Sequence, residues 1–191
     1  AVANFGADGA QDDILVAITP AMTSLILDAA LLNPTALAVK AEGTGNVWVA
    51  SVNPSATSEI RLSEITQAGV RVQDVDLPLA PPVTGMTFGL GDILYFVTEA
   101  GGAIYTFDTV TLIQSQLTIS TGTVGAAQSI AFDGSSTLFF LDLANSFDPF
   151  SGQLQAVDVS GGAINTLLTG LVQPSGIAID RRGGIHYGES S

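Results

Sequence analysis

The most informative feature of the chain is an internal repeat. Four segments share an alternating apolar strand, a Gly-rich turn and a second apolar strand, anchored on Leu37, Met86, Ile130 and Ile177. The spacings between these anchors are 49, 44 and 47 residues. Two further short runs, rich in apolar and β-branched residues, follow each of the first three segments. Units of about 40–50 residues that carry four strands each are typical of β-propeller blades, so the sequence predicts an all-β fold.

The two ends of the chain complement each other in this pattern. Residues 14–39 align without a gap on residues 154–179, so the chain begins with the third and fourth strands of a blade. It ends with a first and a second strand, from Pro174 onward. We therefore predict a single domain over residues 1–191, a β-propeller of four four-stranded blades closed by pairing N-terminal with C-terminal strands, which removes exposed sheet edges. The alternatives are half of an eight-bladed dimeric ring or a fragment of a larger propeller. Helix propensity alone leaves residues 22–32 open to a short helix, but the alignment favours a strand.

Charge and cysteine content exclude several classes of function. Five Lys and Arg against 18 Asp and Glu give a net charge of −13, which repels nucleic acid and anionic membranes. No cysteine is present, so there is neither a disulfide framework nor thiol chemistry. The longest apolar stretch is interrupted by Pro20, Asp28 and Pro34, and we predict no membrane insertion. The excess of acidic residues over Lys favours an extracellular or periplasmic location.

The repeats resemble known propeller families. The segment "PSGIAIDRRGGIHYGES" resembles the NHL-type repeat, and "VTGMTFGLGDILYFVTE" is similar to repeats of SMP-30/gluconolactonase and virginiamycin B lyase-like propellers. The resemblance implies a propeller whose members include lactonases, lyases and pure binding modules. Those families usually have six or seven blades. Their lactonases hold a divalent metal through acidic and amide side chains and their lyases need a catalytic His. Here no acid precedes a first strand, and His186 lies within a strand, so the resemblance carries no catalytic set onto this chain.

Candidate ligand-binding residues stand at equivalent positions where the second strands end: Ser51, Glu99, Asp142 and Glu189. Three carboxylates in a ring could coordinate Ca²⁺ through oxygen or bind a polyhydroxy ligand. The interpretation that we prefer is structural, with the acid accepting backbone N–H groups at the strand end.

Two acidic loops supply weaker metal candidates. They contain Asp148 and Asp12, and turn formation explains both without a metal. The carboxylates at the ends of third strands, Glu64, Asp108 and Asp158, are also interpreted as turn initiators. His186 is interpreted as a strand residue with a satisfied side chain. Aromatic residues of the second strands are predicted to pack between blades: Trp48, Phe96, Phe139 and Tyr187.

Three functions fit these observations. The first is a non-enzymatic exported propeller that acts as a binding or structural-assembly module, with a protein partner or self-assembly. The second is a Ca²⁺-dependent lactonase or hydrolase that uses Glu99, Asp142 and Glu189. The third is a glycan- or small-molecule-binding propeller with the same acidic mouth. We favour the first because the sequence contains no recognisable catalytic set, and it requires no cofactor.

Overall fold

The computed structural model describes residues 2–4, 13–18, 24–40, 45–144, 148 and 150–189, with side chains from Leu31 onward. The described part is built entirely of strands and turns. It forms two compact units, Ala1–Val83 and Thr84–Ser191, which we call the N-terminal and C-terminal units and describe separately. None of the described segments is a helix with the length and apolar character needed to cross a bilayer.

The N-terminal unit contains a three-stranded sheet and one complete blade. The sheet has the order β1–β2–β3, and the blade has the order β4–β5–β6–β7, with each strand antiparallel to its neighbour. The strands are β1 Val2–Asn4, β2 Asp13–Ile18, β3 Ser24–Leu31, β4 Ala36–Val39, β5 Val47–Asn53, β6 Ala56–Ile65 and β7 Arg71–Leu77.

The C-terminal unit contains two blades and a terminal hairpin, and β8 begins at the boundary between the units. The sheet orders are β11–β10–β9–β8, β13–β14–β15–β17 and β18–β19, and a short parallel pair joins β12 to β16. The strands are β8 Val83–Phe88, β9 Ile93–Thr98, β10 Ile104–Asp108, β11 Ile113–Gln116, β12 Ile119–Thr121, β13 Ala126–Phe132, β14 Thr137–Leu143, β15 Gly152–Asp158, β16 Gly162–Ala163, β17 Asn165–Leu171, β18 Pro174–Ile179 and β19 Ile185–Glu189.

The predicted blade pattern is confirmed in three sheets and in the terminal hairpin. The segment that could have been a helix is strand β3. Backbone conformation supports the alignment of the two chain ends, because Asn33 and Gln173, at the same aligned position, both have positive φ angles of 46° and 41°. Such angles are uncommon outside glycine, so the turn into the first strand is built in the same unusual way at both places.

Three details differ from the prediction. β1 was not predicted, and it pairs with β2 where a second strand would lie. The second of the two short runs that follow the second segment, residues 115–120, was predicted to be the fourth strand of the second blade. Instead the fourth strand is β11, while Ile119 and Thr121 pair with Gly162 and Ala163. The pairing of terminal strands that would close a ring is not shown by these sheets and stays a prediction, as does the single domain.

Each unit has its own apolar core, formed where second strands lie in the middle of a sheet. In the N-terminal unit Leu31, Val47, Val49 and Ile65 form one buried cluster, and Trp48 is only 1% exposed. The clusters of the C-terminal unit contain Tyr95, Val97, Ile104, Val124, Ala127, Ile130, Leu138, Phe140 and Val157, and separately Leu141, Leu154 and Leu171.

The aromatic residues follow the packing prediction in part. Trp48 and Phe96 are fully buried, and Phe96 stacks on Tyr105 with ring centroids 5.3 Å apart. Phe139 packs against the smaller C-terminal cluster. Tyr187, by contrast, is 38% exposed, because β19 pairs with β18 in a two-stranded sheet, so the prediction fails at this residue.

Candidate functional site

The strand register shows that three of the four candidate residues are equivalent within their blades. The anchors Leu37, Ile130 and Ile177 lie opposite Val49, Phe140 and Tyr187 of the second strands. Ser51, Asp142 and Glu189 each follow two residues later. Alternate residues of a strand face the same side, so these three side chains occupy the same place in their respective sheets.

Asp142 is a buried carboxylate that holds the start of a first strand. It is 2% exposed, and its Oδ2 accepts a hydrogen bond of 2.9 Å from the Gly125 amide. A side chain at position 125 would collide with the Leu143 carbonyl and the Asp142 carboxylate, so glycine is needed there. Burial raises the pKa of Asp142, against the opposing effect of the Gly125 hydrogen bond. Its Oδ1 is buried and has no hydrogen-bond partner within the described residues.

Glu189 repeats this arrangement one blade later. Its Oε1 accepts a hydrogen bond of 2.6 Å from the Val172 amide. Val172 and Glu189 each lie 47 residues after Gly125 and Asp142, which is the repeat spacing. We call this contact the carboxylate latch, because a second-strand acid binds the amide that precedes the first strand. It matches the structural interpretation favoured from the sequence.

Ser51 and Glu99 do not repeat the latch. Ser51 is 3% exposed within β5 and lies opposite Arg61 of β6 in the N-terminal unit. Arg61 donates to the Asp76 carboxylate at 2.7 and 2.9 Å, and this hydrogen bond lowers the pKa of Asp76. Glu99 is exposed in the turn after β9. The prediction that it is equivalent to Asp142 is wrong by one residue, because Gly89 pairs with Ile93 as Asp133 pairs with Thr137, and this register puts the buried Thr98 at the place of Asp142. The position equivalent to Gly125 in the Glu99 blade is Pro81, which has no N–H to donate.

The described residues contain no group of three or more His, Cys, Asp or Glu side chains arranged to hold a metal ion. Calcium binding by Glu99, Asp142 and Glu189 therefore stays a prediction. Asp148 forms an Asx turn, in which its Oδ1 accepts a 3.0 Å hydrogen bond from the Phe150 amide, as expected of a turn residue. Asp12 lies outside the described residues.

The turn-initiating role of the third-strand carboxylates is confirmed at two of three positions. Asp108 Oδ1 accepts from the amides of Val110 and Thr111, and Asp158 Oδ1 accepts from the amide and hydroxyl of Ser160. Glu64 differs, because it lies within β6 and accepts from the side chains of Asn46 and Gln73.

A second repeated pair of acids was not singled out from the sequence. Asp133 and Asp180, again 47 residues apart, follow the first strands β13 and β18. Asp133 Oδ1 accepts from the amides of Ser135, Ser136 and Thr137. Burial alone would raise the pKa of Asp133, but these hydrogen bonds lower it to about 2. The signal was present in the sequence, since both acids stand at the same point of the repeat before a Gly-containing turn.

Asp180 orders the last turn of the chain and binds the only histidine. Its Oδ1 accepts from the amides of Arg182 and Gly184. Its Oδ2 lies 3.1 Å from His186 Nε2, and the side chains are 43% and 68% exposed. The His186 hydrogen bond, ahead of the two amides, lowers the pKa of Asp180. His186 is therefore a strand histidine with a carboxylate partner at the surface, as predicted.

Comparison with solved structures identifies similar folds. One chain from the crystal structure of a nidogen/laminin complex matches with a TM-score of 0.69 and 12% identity, over 95% of this chain and 68% of that chain. A protein of unknown function from Bacteroides thetaiotaomicron VPI-5482 matches with a TM-score of 0.65 and 13% identity, over 97% of this chain and 48% of that chain. This chain thus spans about half the length of the second protein. At these identities the likeness shows the fold alone, which is of the β-propeller type.

Two other comparisons gave no match. No protein-family model matches the sequence, and no curated protein matches it.

Proposed function

We propose that this chain is a non-enzymatic binding or structural-assembly module with a protein partner. The observation that carries the proposal is the carboxylate latch. Asp142 and Glu189, two of the three acids that a catalytic calcium site would need, are engaged with the backbone amides of Gly125 and Val172. A carboxylate that accepts a hydrogen bond from a backbone amide of the same chain stabilises the fold. We therefore infer that the protein acts through the surface of a rigid scaffold.

The structural comparison supports a protein partner. The first of the two similar structures is a complex of nidogen with laminin, so a chain of similar fold takes part in a protein–protein complex. Propeller folds host many unrelated functions, and for this reason the identity of the partner is not transferred.

A closer relation to NHL-type repeats is part of the proposal. It is supported by the last two repeats, where an acid after the first strand binds the amides of a Gly-containing turn, at Asp133 and at Asp180. We also propose an extracellular or periplasmic location, supported by the excess of acidic residues over Lys and the net charge of −13. Fractionation of producing cells with an antibody against the protein tests the location.

One observation favours the calcium-dependent hydrolase as a second candidate. Asp142 Oδ1 is buried with no hydrogen-bond partner in the described part of the chain, and a buried polar atom in that condition is a place where an unplaced ion or water can sit. A glycan or another small polar ligand at the same acids is the third candidate.

The candidates are separated by a calcium titration and a binding assay. A calcium site stabilises the folded state by mass action, with about 2.7 kcal/mol at a hundredfold excess over Kd. We expect no change in Tm between 1 mM EDTA and 5 mM CaCl2, and no Ca²⁺-dependent hydrolysis of a lactone panel. In the binding assay, proteins are captured on the immobilised chain, purified and tested again in solution. We expect at least one of them to bind the chain saturably. Calcium-dependent turnover, or the failure of every retested protein to bind, would reject the proposed function.

A further inference from the structure

A groove on one face of the second blade is separate from the carboxylate latch. Strand register brings Tyr95, Thr106 and Ser115 into one row across β9, β10 and β11, and Ile93, Asp108 and Ile113 into the next. Together with Thr111 these residues line a groove of about 510 Å³. The six strand residues alternate along their strands, so their side chains lie on the same face of the sheet, and Thr111 belongs to the turn that joins β10 to β11.

The groove is lined by both apolar and polar side chains, and its Tyr95 side is held by packing. Ile113 is 61% exposed and the neighbouring Val110 is 68% exposed. The Tyr95 ring lies against Gly89, where any side chain would collide with it. Tyr95 itself belongs to the larger core cluster, so the groove is anchored to the core of the C-terminal unit. Exposed apolar side chains beside a rigid ring are a feature of surfaces that bind partners.

The groove carries negative charge, and no cationic residue lines it within the described part of the chain. Asp108 lines it, and the Thr111 and Val110 amides lower the pKa of this carboxyl group. Asp158 lies close enough to raise the pKa of Tyr95, an effect second to that of burial, and its hydrogen bonds to Ser160 lower its own pKa. Arg181 and Arg182 are the only Lys or Arg residues after position 83, and they occupy the turn between β18 and β19.

We propose that this groove binds an extended segment of a partner protein in which Lys or Arg occupies every second position. The inference rests on the proposed function and names the chemistry of the partner. β11 is the outermost strand of its sheet, and an extended segment laid beside it presents every second side chain to the same face. The aliphatic stems of Lys or Arg cover Ile113 of β11, and their charged ends reach Asp108 of the adjacent strand β10.

The probe for the test is a fluorescein-labelled peptide of four Lys-Val repeats. Its controls are the Glu-Val peptide, which removes the positive charge, and a diaminobutyric acid-Val peptide, which keeps the positive charge but shortens the aliphatic stem that covers the groove. Fluorescence anisotropy is measured at 25 and 300 mM NaCl. We expect saturable binding of the Lys-Val peptide alone, weakening with salt because of charge screening.

The matched variants keep the turns intact, because asparagine retains the acceptor oxygen that each aspartate uses. We expect Asp108→Asn combined with Asp158→Asn to weaken binding at least about tenfold, and Ile113→Ser to weaken it severalfold. Asp180→Asn is the control for charge removal in an Asx turn outside the groove, and it should bind as the parent does. Thermal melts verify that each variant folds.

Peptide binding is located by the methyl signals of isoleucine in NMR spectra. The signals of Ile93 and Ile113 should shift on titration, whereas those of Ile177 and Ile185 should not. The proposal is overturned if the Lys-Val peptide shows no saturable binding up to 1 mM. Equal binding of the diaminobutyric acid-Val peptide, or unchanged binding by the double Asn variant, overturns it as well. If the double variant still captures a protein partner at full affinity, the groove proposal fails while the proposed function stands.

Discussion

At the scale of single residues, carboxylate side chains accept hydrogen bonds from backbone amides at several points of the repeat. Asp142 and Glu189 bind the amide ahead of a first strand, Asp133 and Asp180 bind the amides after one, and Asp108 and Asp158 start the turns after third strands. Charge-assisted hydrogen bonds to backbone amides are stronger than neutral ones. Much of the acidity of the chain is therefore used to define loops.

The buried latch leads to a prediction about pH. Because burial raises the pKa of Asp142, its contribution to stability is complete below the ordinary Asp value of about 3.9. This contribution is lost as the pH rises through the higher folded-state pKa. Asp142→Asn keeps an acceptor for the Gly125 amide and removes the buried charge. We expect the variant to be at least as stable as the parent at pH 7 and to lose this advantage at pH 4.

Urea denaturation at pH 4, 5, 6 and 7 measures the difference between the two proteins. Asp142→Ala is the control, since it removes the acceptor and should be less stable than the Asn variant throughout. If Asp142→Asn is instead markedly destabilised at pH 7 and the loss depends on Ca²⁺, the buried oxygen has a cation partner. That result would favour the hydrolase candidate.

The turn acid Asp133 predicts the opposite dependence on pH. Burial alone would raise the pKa of Asp133, but the hydrogen bonds from the turn outweigh this effect and lower the pKa to about 2. The contribution of Asp133 to stability is therefore present above the ordinary Asp pKa and is lost as the pH falls towards 2. We expect Asp133→Ala to lower the free energy of unfolding by about 1 kcal/mol at pH 7, after allowance for solvent screening. Near pH 2 the two proteins should converge, and urea titrations at both pH values check this. A gap that persists at pH 2 would mean that packing, not charge, explains the loss.

At the scale of strands and turns, the first strands of the C-terminal unit approach each other closely. The Thr84 hydroxyl donates to the Ala127 carbonyl at 2.5 Å, and the Ile177 amide donates to the Ser129 hydroxyl at 3.4 Å. A side chain on Gly85 would come within 2.8 Å of the Ser129 Cα and 2.9 Å of the Ile130 nitrogen. Backbone cannot yield as a flexible side chain does, so Gly85 is required where β8 meets β13.

Gly85→Val is therefore expected to destabilise the protein by about 1–3 kcal/mol or more through overpacking. Gly91→Val is the control, and it separates this effect from strain in the backbone. A side chain at Gly91 would meet open space, but the φ angle there is 67°, so strain is its main cost. Chemical denaturation of both variants measures the two costs. A smaller loss for Gly85→Val than for Gly91→Val would contradict the close approach of β8 and β13.

The blades could be predicted from sequence because their information is local. Alternation, Gly-rich turns and constant spacing located the first and second strands. The positive φ angles of Asn33 and Gln173 agree with the gapless alignment of the two chain ends. The path between β11 and β12 was missed because the parallel pairing of Ile119 with Gly162 joins residues far apart in sequence. The latch was anticipated as a role, but its partners could not be named, because Gly125 and Val172 donate through a backbone amide that every residue except proline carries.

The groove was also beyond sequence reasoning. Tyr95, Asp108 and Ile113 each have an ordinary interpretation as a core aromatic, a turn initiator and a strand residue. Only the register of three strands places them on one face. A binding surface of this kind depends on which side chains share a face and on the absence of compensating charge, and neither property can be read from the apolar periodicity of a repeat.

At the scale of the whole molecule, ring closure is the prediction with the widest consequences, and one tryptophan can test it. Trp48 is the only tryptophan of the chain and is 1% exposed in the N-terminal unit, so its fluorescence reports the unfolding of that unit. Deletion of residues 174–191 removes β18 and β19, including the contacts of Ile177 and Ile185 with the smaller C-terminal cluster. This deletion should destabilise the C-terminal unit whether or not the ring is closed.

A closed ring and an open one predict different effects of the deletion on the Trp48 unfolding transition. If β18 and β19 complete a blade with N-terminal strands, their deletion exposes those strands, and the Trp48 transition should shift to lower urea together with the circular dichroism transition. Arg181→Ser combined with Arg182→Ser is the control, since it alters the exposed turn of the hairpin and leaves its strands in place. An unchanged Trp48 transition in the deletion variant would mean that the N-terminal unit folds without the terminal hairpin. The closed four-bladed ring would then be wrong for this chain.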